Sequence, residues 1–379
     1  MGELDTIISE LITIASSPRK QLDGYLSHGR KAVGCMPYFC PEELVHAAGM
    51  VPFGLWGAET PVSEAERYLP AFICSIIQTT LELGIRGEYK GLAAVMAPIS
   101  CDSLKSMDAN WRYGVADIPI ISVAHAQNRK TQAGVEFTAS QYLKIKKQLE
   151  ELSGKTFADA DIAVSIKTYN RRNAAVRSFM SELSKRPGAL KPSARNAVFK
   201  SSYFMEAAEF TDKVLALTAA LAAMPAENDK KGPALVTSGI ITDSTALLDI
   251  LDTCGITIID DAVTHESLRF RYDTEETGDP YIALARQIGN IEGCPVLFDH
   301  GKMRGNMLVE LVNRHRADGV LFVMTKFCDP EEYDIVPLKR LLDREGIRSL
   351  TVEVDQQTTV MEQARTAIET FCELVSYSM

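Results

Sequence analysis

The chain has no Cys-x-x-Cys pair and no G-x-G-x-x-G, P-loop, G-x-S-x-G or H-E-x-x-H motif. These absences exclude zinc-ribbon and thioredoxin arrangements, the familiar nucleotide cradles, the nucleophile elbow and the zincin helix in those forms. Basic residues are in deficit, 40 Lys and Arg against 50 Asp and Glu, for a net charge of -10. Nucleic acid needs a basic surface, so it is not expected as a partner. Long apolar runs are also missing. The longest, near Val214 to Ala226, is Ala-rich, interrupted by Thr218 and Pro225, and too short to span a bilayer. No basic region precedes an apolar run at Met1-Gly2-Glu3-Leu4-Asp5, so no secretory leader is read there. Met1-Gly2 with Thr6 is discounted as a myristoylation start. The expectation is a cytoplasmic protein with no membrane partner.

What is present is ordinary globular material. Of 379 residues, 46% are hydrophobic and 24% charged, enough for a buried core and for more than one domain. Residues 3–16 read as an amphipathic helix carrying Leu4, Ile7, Ile8, Leu11 and Ile14. Strands and helices then alternate: strands at 31–35, 51–56, 92–99 and 118–123, helices at 41–49 and 71–83. From about Ser140 to Ala226 the pattern is helical. Alternation resumes with strands at 234–238, 256–259, 295–298, 319–324 and 350–354. The helices among these run over 244–252, 308–316 and 338–344, with a last one from Val360. The expected fold class is α/β: two doubly wound parallel-sheet domains with an intervening helical segment. The boundaries read from the pattern are 1–160, 161–230 and 231–379. Phe39-Cys40-Pro41-Glu42-Glu43 echoes Phe327-Cys328-Asp329-Pro330-Glu331-Glu332. The echo is either two ordinary helix starts, with Pro and Glu where a helix favours them, or a trace of two domains of similar topology.

In open α/β sheets, ligands bind beyond the carboxyl ends of the strands. Of the eight cysteines, Cys35, Cys40, Cys101 and Cys328 lie at or just past such ends. Cys74 lies near a helix start, where the dipole lowers a thiol pKa. These five are candidate thiolates. Cys254, Cys294 and Cys372 read as small buried hydrophobes, Cys294 at the opening of a buried strand. Thiolates gathered from separate loops select zinc or iron–sulfur clusters, but the 74, 101, 328 spacing matches no compact ferredoxin motif. From spacing alone, scattered core thiols are the simpler reading. His46 reads as a core histidine and His125 as a residue of the loop after a strand. Arg129 and Lys130 read either as phosphate contacts or, more simply, as a solvated loop. Ser238-Gly239 could cradle an anion, but Asp243 as an N-cap explains that stretch without a ligand.

A broader resemblance comes from motifs spread along the chain. Gly34-Cys35-Met36-Pro37-Tyr38 and Cys40-Pro41-Glu42-Glu43-Leu44-Val45-His46-Ala47-Ala48-Gly49-Met50-Val51-Pro52 resemble the opening of the 2-hydroxyacyl-CoA dehydratase and benzoyl-CoA reductase family. The resemblance continues at Ala71-Phe72-Ile73-Cys74-Ser75-Ile76, Cys101-Asp102-Ser103-Leu104 and His125-Ala126-Gln127-Asn128-Arg129. It recurs at Ile291-Glu292-Gly293-Cys294, Lys326-Phe327-Cys328-Asp329-Pro330-Glu331-Glu332-Tyr333, Glu353-Val354-Asp355 and Glu362-Gln363-Ala364-Arg365-Thr366. Length and the Cys-Asp-Pro-Glu-Glu-Tyr form are most similar to the smaller, beta subunit of the dehydratases.

The resemblance implies a heterodimer with a larger paralogous alpha subunit, each subunit holding a 4Fe-4S cluster on three cysteines. Carried over by position, the ligands are Cys74, Cys101 and Cys328, with the fourth iron site open or bound by a non-protein ligand. It implies a 2-hydroxyacyl-CoA substrate at the partner's site, a separate ATP-hydrolysing iron–sulfur activator, and this chain as an electron relay in the loss of water to a 2-enoyl-CoA. The alternatives are a related activator-dependent iron–sulfur reductase of another small molecule, or a clusterless α/β binding protein.

Overall fold

The computed structural model describes residues 2–37, 39–226, 232–357 and 360–376. Met1 and Tyr38 of the motifs above lie outside the described residues. Two amphipathic helices, α1 (Glu3–Ser16) and α2 (Pro18–Ser27), precede β1 (Ala32–Cys35), α3 (Glu42–Ala47), β2 (Val51–Gly54), α4 (Ser75–Ile85), β3 (Ala94–Pro98), α5 (Asp102–Gly114) and β4 (Ile120–Val123). The four strands form one parallel sheet in the order β2-β1-β3-β4. They are buried almost throughout, as parallel strands covered on both faces must be. The period of two sorts their side chains. Val95 and Ala97 face the core under α4 and α5, while Ala94 and Met96 face the core under α3 and the next helix.

Among the described residues between Val123 and Ala234, all regular structure is helical: α6 (Gln132–Ser153), α7 (Asp159–Ser184), α8 (Pro192–Ser201) and α9 (Ala207–Ala222). Helix α1 packs back on α8 and α9, and its Leu11 joins Phe179, Phe199 and Phe210 in their core. No helix among the described residues is long and apolar enough to cross a membrane.

The second sheet repeats the first. Its elements are β5 (Ala234–Gly239), α10 (Thr245–Thr253), β6 (Thr257–Val263), α11 (Pro280–Asn290), α12 (Met303–His315), β7 (Gly319–Thr325), α13 (Asp329–Arg344), β8 (Ser349–Val354) and α14 (Glu362–Ser376). The order β6-β5-β7-β8 is again parallel, with the first strand of the unit second in the sheet. Leu321 and Val323 face α10 and α14; Val320 and Phe322 face α12 and α13. The α/β class with two doubly wound sheets therefore stands. The crossover from β6 to β7 leaves its own sheet on the way, and α11 packs Tyr281, Leu284 and Ala285 into the core beside α6.

The two units place the cysteine echo in a different light. Cys40 follows β1, the first strand of its unit, whereas Cys328 follows β7, the third of its unit. The topological counterpart of Cys328 is Cys101, which follows β3. What the echo does share is backbone: Phe39 and Phe327, each just before its cysteine, both have positive φ, 71° and 62°.

Several local readings are corrected. Residues 295–298 form no strand; Pro295 has no N–H to give, and the carbonyls of Ile291 and Phe298 accept from the Arg129 guanidinium instead of a strand neighbour. Cys294 thus lies in a loop, although buried. Arg129 is neither solvated nor a phosphate contact: it is 4% exposed and also donates to Ile288 O at 3.1 Å. Ser244, not Asp243, caps α10, accepting the Leu247 N–H at 3.3 Å. Asp243 instead accepts from Trp56 Nε1 and Lys200 Nζ, at 2.5 and 2.7 Å. The helix expected from 338 begins at Asp329 and runs through Pro337. Helices α2, α5 and α11 are missing from the sequence reading; for α5 the signal was Leu104, Met107 and Trp111 at i, i+3 and i+7, all buried.

Gly239 ends β5 and pairs with Val323 of β7. A Cβ there would stand 2.2 Å from Val323 O, a backbone atom that cannot step aside alone. Gly239→Ala is expected to destabilise by about 1–3 kcal/mol through this overpacking. Its thermal midpoint should fall below wild type; an unchanged midpoint would show that the two strands part without cost.

Candidate functional site

Three helices begin at a cysteine. Cys74 is the N-cap of α4, Cys101 of α5 and Cys328 of α13. All three line one cavity of about 710 Å³, which also takes Ile77, Ile240 and Val296 into its wall. Cys101 and Cys328 reach it from equivalent crossovers of the two sheets, and Cys74 from the helix that precedes β3. The cavity thus lies beyond the carboxyl ends of strands of both units, where an open α/β sheet exposes helix N-termini.

Each cysteine is fixed by a different device. Cys101 serves as a cap itself, its Sγ accepting the Leu104 N–H at 3.5 Å. Cys74 is held through its neighbours across the two units: Ser75 Oγ accepts the Gln356 N–H at 3.0 Å, and Thr79 Oγ1 donates to Gln356 Oε1 at 2.6 Å. Gln78 Nε2 adds a bond to Ile73 O at 2.8 Å, just before the thiol. Cys328 is 8% exposed, and its N–H donates to Thr325 O at 3.0 Å across the turn that Phe327 makes with positive φ.

The helix dipole alone would make these thiols acidic, as expected for Cys74 from its position. Burial outweighs it. The Cys74 thiol is pushed up to about 12, chiefly by desolvation, with the Ile77 N–H pulling the other way. Burial also raises Cys101. Cys328 is raised furthest, by burial first, then by the Glu331 carboxylate and by Cys74 and Cys101. The three sulfurs therefore sense one another. They are not closed on a single ion: among the described residues no group of three or more His, Cys, Asp or Glu side chains forms such a coordination sphere. Three thiols on one cavity, each at a helix N-terminus and each held protonated by burial, become a soft, anionic donor set only against a cation. Such a set fits a polynuclear cation-bearing group, which removes the repulsion and makes the thiolate the stable form.

The remaining cysteines lie elsewhere. Cys35 is buried at the end of β1 beside Cys40, whose Sγ donates to Met96 O at 3.3 Å. The hydrogen bond with Cys40 raises the Cys35 thiol, and burial adds to it. Neither lines the three-cysteine cavity. Cys254 and Cys372 pack against one apolar cluster with Leu251 and Phe371. Cys294 packs with Leu268 and Ile288 and accepts the Val296 N–H at 3.4 Å. His46 is a packed histidine, its Nδ1 2.7 Å from Ser165 Oγ and its ring edge-on to Tyr169. His125 sits against Tyr142 OH at 3.1 Å, and burial lowers it to about 4. Sequence reasoning did not single out Arg304 or the role of Glu331, which are buried against each other beside Cys328. Their pairing spans two helices and leaves no local pattern.

Residues 37–375 match the family described as 2-hydroxyglutaryl-CoA dehydratase, D-component. The chain is 42% identical to the (R)-phenyllactyl-CoA dehydratase beta subunit of Clostridium sporogenes, over 98% of this chain and 100% of that one. It is 36% identical to the beta subunit of lactoyl-CoA dehydratase from Anaerotignum propionicum, over 99% and 100%. It is 24% identical to a benzoyl-CoA reductase subunit from Thauera aromatica, over 79% of each.

Proposed function

The chain belongs to the 2-hydroxyglutaryl-CoA dehydratase, D-component family, and from that premise we propose that it is the beta subunit of an (R)-2-hydroxyacyl-CoA dehydratase, a hydro-lyase. The observation that carries the reading to the site is the convergence of Cys74, Cys101 and Cys328 on one cavity. These three would hold a 4Fe-4S cluster, with its fourth iron site free of protein thiolate. Bound there, the cluster supplies a store for one low-potential electron. The chain's own part is to bury the thiolates among Ile77, Ile240 and Val296, exclude water, and set the potential through helix N-terminal N–H groups.

The substrate would sit on a larger paralogous subunit, and a separate ATP-hydrolysing iron–sulfur activator would deliver the electron. The chemistry requires such an electron. The 3-proton of a 2-hydroxyacyl-CoA is not acidic. One electron added to the thioester carbonyl gives a substrate ketyl, which expels the 2-hydroxide. The 3-proton of the resulting radical is then acidic enough to leave. The electron returns to the protein with the 2-enoyl-CoA, so the net change is loss of water.

Anaerobic purification or reconstitution tests the reading. The expected product is brown, with iron and sulfide in equal amounts and a broad visible charge-transfer band. A colourless, folded, iron-free protein would overturn it in favour of a clusterless binding protein. The kinship with a benzoyl-CoA reductase subunit keeps a reductase of another small molecule as the second reading. Co-expression separates the two: a dehydratase brings down a larger paralogue and forms enoyl-CoA from hydroxyacyl-CoA once activated. Cys294→Ala, Cys254→Ala and Cys372→Ala should lower stability at most and leave iron content at the wild-type level. Iron lost from a folded Cys294→Ala protein would move the ligand set.

A further inference from the structure

We infer that Arg304 and Glu331 are positioning residues that fasten the Cys328 loop, so that its thiol faces the cavity. This rests on the reading of Cys328 as a ligand. Cys101 and Cys328 occupy equivalent helix starts, yet they are held differently. At Cys101 the residue three further on is Leu104, and the thiol caps its N–H. At Cys328 the residue three further on is Glu331, and Cys328 makes no side-chain cap bond. The Glu331 carboxylate turns back past the helix start and accepts the Thr325 N–H at 3.0 Å. It thereby ties the first turn of α13 to the last residue of β7, across the turn containing Phe327. That turn needs a fastening, because a phenylalanine at φ 62° is in a region side chains avoid.

Glu331 is not an ordinary first-turn acid. Asp329 and Glu332, exposed, already complement the helix N-terminus, whereas Glu331 is 3% exposed. A carboxylate so buried needs a partner, and Arg304, 4% exposed, donates to it at 3.3 Å. The guanidinium also donates through Nε to Ser238 Oγ at 3.0 Å, near the end of β5. Gly305 lets α12 approach α13 closely enough for this: a Cβ there would meet Leu341 Cδ2 at 2.5 Å. The chain of contacts runs from β5 through α12 to α13 and back to β7, fixing the loop from three elements. The stretch Ser238-Gly239, open to reading as an anion cradle in the sequence, is one end of this fastening.

Two readouts test it. In metal-free, reduced protein, deuterium labelling of backbone amides is followed by peptide mass spectrometry, a readout that the Glu331 charge beside the Cys328 thiol does not bias. Glu331→Gln should speed labelling of the turn around Cys328 several-fold and leave the first turn of α5 at Cys101 unchanged. In cluster-loaded protein, the same variant should bind iron about tenfold or more weakly, as loss of an outer-shell partner does, and change the line shape of the reduced electron paramagnetic resonance signal. Because Glu331→Gln leaves Arg304 charged and buried, the double variant Arg304→Met, Glu331→Met removes both charges together. If it is as thermally stable as wild type and still labels fast at Cys328, the effect belongs to the loop and not to general unfolding. Wild-type labelling rates in that folded double variant, with an unchanged resonance signal, would overturn the inference. Failure of wild-type protein to take up iron would overturn the ligand reading alone, and the labelling arm would still decide the fastening.

Discussion

Cys328→Ala is expected to fold, to assemble with its partner, and to give no turnover, with iron and sulfide lost or degraded to a substoichiometric form. The same is expected of Cys74→Ala and Cys101→Ala. With only three thiols on the cavity among the described residues, removing any one leaves two ligands for a cluster that needs three from the protein, and redundancy is absent. The other two candidate thiols, Cys35 and Cys40, are committed to the end of β1, where Cys40 donates to Met96 O. The effect on the metal-free fold should be small, since burial holds the three thiols protonated and Ala removes only one uncharged sulfur. The measurements are iron and sulfide per chain, the visible spectrum, and enoyl-CoA formation with intact partner and activator. Full iron and turnover in any one of the three folded variants would remove that residue from the set. A variant that loses turnover but keeps a wild-type spectrum would place the residue outside the ligand sphere.

How far the sequence could be read follows from the range of each signal. The β3 strand was legible because Leu92 to Ile99 is a short apolar run, as a parallel strand buried on both faces must be, although the run does not tell that its side chains sort into two different cores. Cys101 and Cys328 could be nominated because each lies a few residues past such a strand, and strand ends are where ligands meet parallel sheets. Their convergence was expected only through the family resemblance and has no local signal of its own, because it depends on how two sheets, separated by four helices, face each other. The same limit explains the errors. Arg129 looked solvated because its partners, Ile288, Ile291 and Phe298, lie about 160 residues on. Residues 295–298 looked like a strand because Pro-Val-Leu-Phe is apolar and short, and period alone cannot separate a buried strand from a buried loop. Asp243 looked like a cap because it stands one residue before the true cap, Ser244, within the usual uncertainty of a helix start. The thiol pKa of Cys74 was misjudged for a different reason: the helix dipole is a local property and visible in sequence, whereas burial is not.

The largest stability effect should come from a residue outside the site. Arg195, on α8, is 3% exposed and pairs with both Asp261 and Glu266, themselves buried. Its guanidinium also stacks over Phe199 at 4.8 Å. The carboxylates have other partners, Asn196 Nδ2 to Glu266 at 3.0 Å and the Val263 N–H to Asp261 at 2.9 Å, but these donors are neutral and bring no compensating charge. Arg195→Met keeps most of the apolar stem and removes the charge, leaving two buried carboxylates facing one another. Breaking a buried pair this way costs about 3–5 kcal/mol. The contrast is Arg30→Met, which breaks the half-exposed pair with Glu206 and should cost about 1 kcal/mol or less. The two losses should also differ in pH dependence. Burial already raises Glu266, and Arg195 is what opposes it. Without Arg195 the folded-state carboxyl rises further above its unfolded value. The folded variant then binds protons more readily than its unfolded chain, and gains relative stability as pH falls. Urea unfolding of Arg195→Met and wild type should therefore show a gap that narrows from pH 8 to about pH 5. A gap that is small at pH 8, or that widens on acidification, would mean that the two carboxylates are held by their neutral hydrogen-bond donors rather than by the arginine.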